Sequence, residues 1–154
     1  MHTIDRISIQ APIDRVFEIA THVERWPDIL PHYRWVRMLE RHPDGGKVEM
    51  AAWRPFGPPP LRYPAWWVSE MHVSPDARVI RYRHVAGITA GMDVRWSLRE
   101  SPSGVAVEIL HQWTGPGWPV VGRFAADFVI GPVFIHGIAA RTLDGIRRRA
   151  EATA

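Results

Sequence analysis

The chain has 154 residues, 46% of them hydrophobic and 23% charged, which fits one folded domain with one core, expected over residues 1–154. It has no cysteine, which excludes disulfides, thiolate metal sites and cysteine nucleophiles and fits a reducing, cytoplasmic setting. The formal charge is +3, but the basic residues are spread along the chain and all but Lys47 are arginine. Their one dense cluster, Arg147 to Arg149, suits the end of a helix, so no nucleic-acid partner is expected.

No apolar run approaches the ~20 residues that span a bilayer, and the opening MHTIDRISIQ lacks a basic stretch followed by an apolar one. Neither a membrane span nor a signal peptide is therefore expected. Residues 2–10 alternate and predict a strand. Ala11-Pro12 ends it, and Ile13, Val16, Phe17 and Ala20 recur at helical spacing over 12–20. Thr21 with Glu24 reads as a capping box for a second helix, short and bent because it contains Pro27 and stops at Pro31.

Strands are predicted over 33–40, 47–53, 65–73, 79–85, 91–99 and 105–113. His42-Pro43-Asp44-Gly45-Gly46, Ser74-Pro75-Asp76 and Ser101-Pro102-Ser103-Gly104 supply turns, and Pro55 to Pro60 is too rich in proline for a ladder. From about Val120 to Ala150 the period becomes helical, with a kink expected at Gly131-Pro132. The fold class is thus α+β: a curved antiparallel sheet of about seven strands around a long C-terminal helix, with two short helices after the first strand. A sheet curled round one helix leaves part of its interior unfilled, and that part becomes a pocket.

The opening strand, Ala11-Pro12-Ile13 and helix, followed by VERWPDILPHYRWV, resemble the START-like helix-grip (SRPBCC) superfamily. The closest likeness is to its polyketide cyclase/dehydrase and coenzyme-Q-binding branch, whose last helix GPVFIHGIAARTLDGIRRRAE also resembles. The resemblance covers nearly the whole chain in element order. It implies a deep pocket between sheet and helix. Some members fold and dehydrate a poly-β-keto chain there, and others hold a quinone or lipid without chemistry.

Trp26-Pro27 with Tyr33 is similar to a pattern in the aromatase/cyclases, which implies that Trp26 and Tyr33 lie near the pocket. The stretch from Ala65 to Met71 also resembles them, but active members carry a carbonyl-polarising arginine where this chain has Met71. Either another residue substitutes, or the protein does not run that mechanism.

Strand alternation nominates further residues. His111 and Trp113 continue an apolar face made by Val105, Val107 and Ile109, and Met92, Val94, Trp96 and Leu98 share the neighbouring side. Tyr82 and His84 point inward, and Arg81 and Arg83 outward. The candidate catalytic residues are Tyr33 and His111, as proton-moving groups. The candidate ligand-binding residues are Trp26, Trp35, Trp67, Met71, Tyr82, His84, Met92, Trp96, Trp113, Phe128 and His136. For each, the competing reading is a hydrogen-bonded core or rim residue. The histidines lack ligand spacing and there is no G-x-S-x-G elbow or phosphate loop, so neither a metal nor another cofactor is expected.

The expected function is binding of an aromatic or polycyclic ligand, with aromatase/cyclase-like aldol cyclisation and dehydration. The alternative is a non-catalytic carrier of a quinone, isoprenoid or lipid. The expected partner is a small hydrophobic molecule, presented by an acyl carrier protein if the protein is a cyclase. The chain itself is expected as a monomer or homodimer.

Overall fold

Among the residues that the computed structural model describes, 1–55, 58–116 and 135–152, seven strands and three α-helices form. The strands are β1 (His2–Ile9), β2 (Tyr33–His42), β3 (Gly45–Pro55), β4 (Arg62–Ser74), β5 (Val79–Gly87), β6 (Asp93–Ser101) and β7 (Gly104–Gln112). The helices are α1 (Ile13–Thr21), α2 (Trp26–Ile29) and α3 (His136–Glu151), with a 3-10 turn at Val23–Arg25. All strands join one antiparallel sheet in the order β1-β7-β6-β5-β4-β3-β2. This is the helix-grip arrangement expected from the sequence. Phe128 and the predicted kink at Gly131-Pro132 lie outside the described residues. Among the described residues no helix is long and apolar enough to cross a membrane.

Hairpins join β2 through β7 in sequence, because turn residues separate runs rich in β-branched and aromatic side chains. The exception is the step from β1 to β2, the two outer strands, which α1 and α2 bridge. α1 buries Val16, Phe17 and Ala20, as its helical spacing predicts. The predicted capping box does not form. Thr21 is instead the last residue of α1, and its hydroxyl turns back to the carbonyls of Phe17 and Glu18 (3.0 and 3.1 Å).

α3 lies on the sheet's inner face with Ala139, Thr142, Leu143, Gly145, Ile146 and Ala150 buried. Leu30, fully buried after α2, presses on Gly145 so closely that a Cβ there would lie 2.2 Å from its methyl carbon. Gly145 is what lets this segment dock on the helix.

Bulges interrupt β2 between Tyr33 and Trp35 and between Met38 and Glu40, and shift the β4–β5 register at Val68/Ser69. Such insertions bend a strand and increase its twist. The first one matters to function, because it reverses the alternation. Tyr33 and Val36 are buried, whereas Arg34 is exposed and Trp35 half-buried. Outside the barrel-like curve, arginines and tryptophans interleave. The Arg34 guanidinium sits 4.8 Å from the Trp35 ring and 4.4 Å from that of Trp53. Arg62 covers Trp53 at 4.1 Å and Arg37 covers Trp35 at 5.3 Å.

Leu30→Ala should cost about 2–5 kcal/mol in unfolding free energy, the usual range for emptying a fully packed leucine site. Urea denaturation followed by tryptophan fluorescence measures it, and a loss below about 1 kcal/mol would contradict the docking role given to Leu30.

Candidate functional site

A cavity of about 90 Å³ opens between α3 and the sheet. Its first wall is aromatic. Trp26 stands edge-on to Tyr33 with ring centres 5.3 Å apart, and 5.7 Å from Trp96. Tyr33 in turn meets Trp67 edge-on at 6.2 Å. Trp67 lies parallel to His84, 5.9 Å away and tilted by only 4°. The Trp26 indole N–H donates to the Ile19 carbonyl (3.1 Å), which fixes that ring against α1. The second wall comes from α3, through Ile138, Ala139 and Thr142, with Ile135 just before it. Tyr82, Met92, Val94, Ile109 and His111 close the floor from β5, β6 and β7.

Eight of the residues proposed from sequence therefore meet at one cavity: Trp26, Tyr33, Trp67, Tyr82, His84, Met92, Trp96 and His111. Four do not. Trp35 is carried to the outer face by the β2 bulge, where its N–H donates to Glu49 (3.1 Å). Trp113 is buried past the end of β7 and its N–H donates to the Ala90 carbonyl (3.0 Å), so it braces the β5–β6 turn. His136 is mostly exposed and pairs through Nδ1 with the buried Asp5 of β1. It begins α3 one residue after Ile135, which turns it about 100° away from the lining stripe. Met71 is buried in the core but does not line the cavity. The position where relatives are expected to place an arginine is thus apolar and also off the cavity wall.

Thr142 was not foreseen, although its spacing gives it away: it falls on the stripe Ile135, Ile138, Ala139, Ile146 as the single polar member. Its Oγ1 lies 2.8 Å from the Ile138 carbonyl, 3.1 Å from His32 Nε2 and 3.5 Å from Tyr33 Oη. One hydroxyl therefore ties the helix to the start of β2. Thr89 also lines the cavity, bonding His84 Nδ1 at 2.7 Å. It sits in the β5–β6 turn, where no periodicity marks it.

The described lining contains no formally charged side chain. Its titratable groups are all pushed towards neutrality by burial. His84 falls from the ordinary histidine value to about 3, with the neighbouring His111 adding to the effect, and His111 falls to about 4. Burial raises the Tyr33 phenol well above its usual range, partly opposed by the Thr142 hydroxyl, and raises Tyr82 likewise, with Tyr33 adding to the effect. Two atoms here are sealed from solvent without a hydrogen-bond partner: Tyr82 Oη and His111 Nδ1. Tyr82 accordingly offers the cavity its ring and not its hydroxyl.

Removing an unsatisfied buried hydroxyl relieves its desolvation cost. Tyr82→Phe should raise stability by up to about 1 kcal/mol and leave ligand affinity unchanged, as urea denaturation and tryptophan-quenching titrations would show. The buried histidines also predict acid sensitivity. Their folded values lie below that of an unfolded chain, so their contribution is complete above about pH 6.5 and is lost as pH falls towards 4–3. Each contributes a slope of up to about 1.4 kcal/mol per pH unit in that window. Stability measured from pH 7 to 4 should therefore fall less steeply in His84→Gln than in the parent.

A family model described as polyketide cyclase/dehydrase and lipid transport matches residues 9–133. A curated candidate polyketide cyclase of Streptomyces cyaneus is 30% identical over 115 residues, 73% of this chain and 70% of that one. Among solved structures, a protein of Thermus thermophilus superposes with a TM-score of 0.81 at 16% identity, covering 100% of this chain and 99% of the other. The Zhui aromatase/cyclase of Streptomyces sp. R1128 gives 0.72 at 21% identity, covering 99% and 97%. The chain belongs to the polyketide cyclase/dehydrase and lipid transport family.

Proposed function

We propose that the protein binds an aromatic or polycyclic molecule in this cavity and, in the manner of the aromatase/cyclases, promotes aldol cyclisation and dehydration of a poly-β-keto chain. The observation that carries the reading is the continuous wall Trp26–Tyr33–Trp67–His84, facing hydrogen-bonding groups that are all neutral. Flat rings pack against such a wall, and a folded poly-ketone has many carbonyls and no charge. The reaction joins the carbon between two carbonyls to a third carbonyl carbon. The attacking carbon loses a proton, the π bond of the attacked carbonyl breaks and its oxygen takes up a proton to become a hydroxyl, which then leaves as water with a hydrogen from the neighbouring carbon. Holding the chain with these carbons in contact supplies much of the acceleration.

Tyr33 keeps its proton and can give a hydrogen bond to the oxygen of the carbonyl under attack, where negative charge develops. His111, on β7 towards the other edge of the same sheet, is a second polar group available to the reacting chain. Its substrate would be delivered by an acyl carrier protein. A second reading, a carrier of quinone, isoprenoid or lipid without turnover, is favoured by one observation: the position of the relatives' arginine is filled by Met71, off the cavity.

Tyr33→Phe and His111→Ala should each slow cyclisation of a carrier-tethered polyketide by about a hundredfold, the lower range for lost acid–base or hydrogen-bonding groups. Product profiles by liquid chromatography, with tryptophan-quenching titrations to check binding, measure it. Unchanged rates and products in both variants would remove the cyclase assignment. A quinone or lipid co-purifying in native mass spectrometry would then favour the carrier reading.

A further inference from the structure

His111 lies on β7 opposite Thr3 of β1 and Val94 of β6, with its ring against the cavity. Its two ring nitrogens have different surroundings. Among the described residues, Nδ1 is sealed from solvent and has no partner within hydrogen-bonding distance. Nε2 shows no such isolation among the described residues and belongs to a ring that lines the cavity, which leaves it as the nitrogen available to a bound molecule. The inward-facing Thr3 Oγ1 is also sealed and unpaired, so it does not serve as the missing partner.

A neutral imidazole carries one proton, on one nitrogen or the other. The nitrogen that bears it is set by what the other can bond. Placing the proton on Nδ1 would bury a polar N–H with no acceptor, a situation folded proteins nearly always avoid. Placing it on Nε2 leaves only a bare lone pair in the wall and turns the N–H towards the cavity. We infer that His111 is held as the Nε2–H tautomer and donates a hydrogen bond to an acceptor oxygen, a ketone or quinone carbonyl, of the bound molecule. The inference rests on the cavity being the ligand site. It makes His111 a specificity-determining donor and not a base, since its one free lone pair, on Nδ1, faces the wall.

Burial supports the same state, because it keeps the ring uncharged down to about pH 4. A neutral histidine N–H can polarise a carbonyl without first losing a proton, as in triosephosphate isomerase. The donor role also offers a substitute for the arginine that Met71 replaces: an N–H aimed at a carbonyl from a different strand.

Two measurements on the full chain test this. In the first, long-range 15N–1H spectra of ring-labelled histidines give the tautomer directly, with the His111 signals assigned by their loss in His111→Gln. Between pH 6 and 8 Nε2 should show a protonated, pyrrole-type shift and Nδ1 a pyridine-type one. An Nδ1–H tautomer, or an imidazolium at pH 7, would overturn the inference without any ligand being present. The second compares 1,4-naphthoquinone with naphthalene by tryptophan quenching. The quinone should bind about tenfold tighter, as one hydrogen bond predicts. His111→Gln, which keeps a side-chain N–H, should retain that preference, and His111→Leu should abolish it. Equal binding of both probes by the parent would overturn the donor role and leave the cavity reading intact. If neither bound, the cavity reading would fall and the donor role with it, whatever the tautomer.

Discussion

The inner face of a seven-stranded sheet is too wide for one helix to cover. Strands spaced about 4.8 Å apart make an arc of roughly 30 Å, while a helix with its side chains is about 10 Å across. α3 seals the part it touches with Leu143, Ile146 and Ala150. Beside its first two turns, where Ile138, Ala139 and Thr142 face inward, the described residues leave a gap, and the cavity occupies it. The fold thus creates the space, and the side chains around it decide what the space accepts.

Those side chains were legible to the extent that alternation holds. Tyr82, His84, Trp96 and His111 lie inward because their strands keep strict period two across the cavity floor, and Met92 continues that parity just before β6. Trp35 shows the limit. It shares parity with Tyr33, and only the bulge between them, which depends on pairing with β3, turns it out. Trp113 and His136 mark a different limit. Trp113 falls just past the end of β7 and His136 is the first residue of α3, and at both a hydrogen bond or ion pair and not periodicity sets the direction. Thr142 was readable as the odd member of an apolar stripe, whereas Thr89 belongs to a turn whose shape the sequence does not specify.

The family resemblance and the chain's own residues part at one position. An arginine in the cavity would bring a charge into a dry space and would need a partner there. Met71 brings none, and the titratable groups of the described lining are held neutral by burial. This favours ligands whose oxygens accept hydrogen bonds without carrying charge, and it disfavours free carboxylates, whose desolvation nothing in the described lining would offset.

The bulges that turn Trp35 outward have an effect unrelated to the ligand. β2 is an outer strand of the sheet, and an outer strand offers free backbone groups on which another chain can add. Two irregularities within its length break the even spacing such addition requires, and Arg34 and Arg37 hold positive charge along it. The interleaved arginines and tryptophans keep large rings covered on a face that would otherwise be adhesive. The same local distortion that shapes the aromatic wall thereby discourages the protein from growing, strand upon strand, into aggregates.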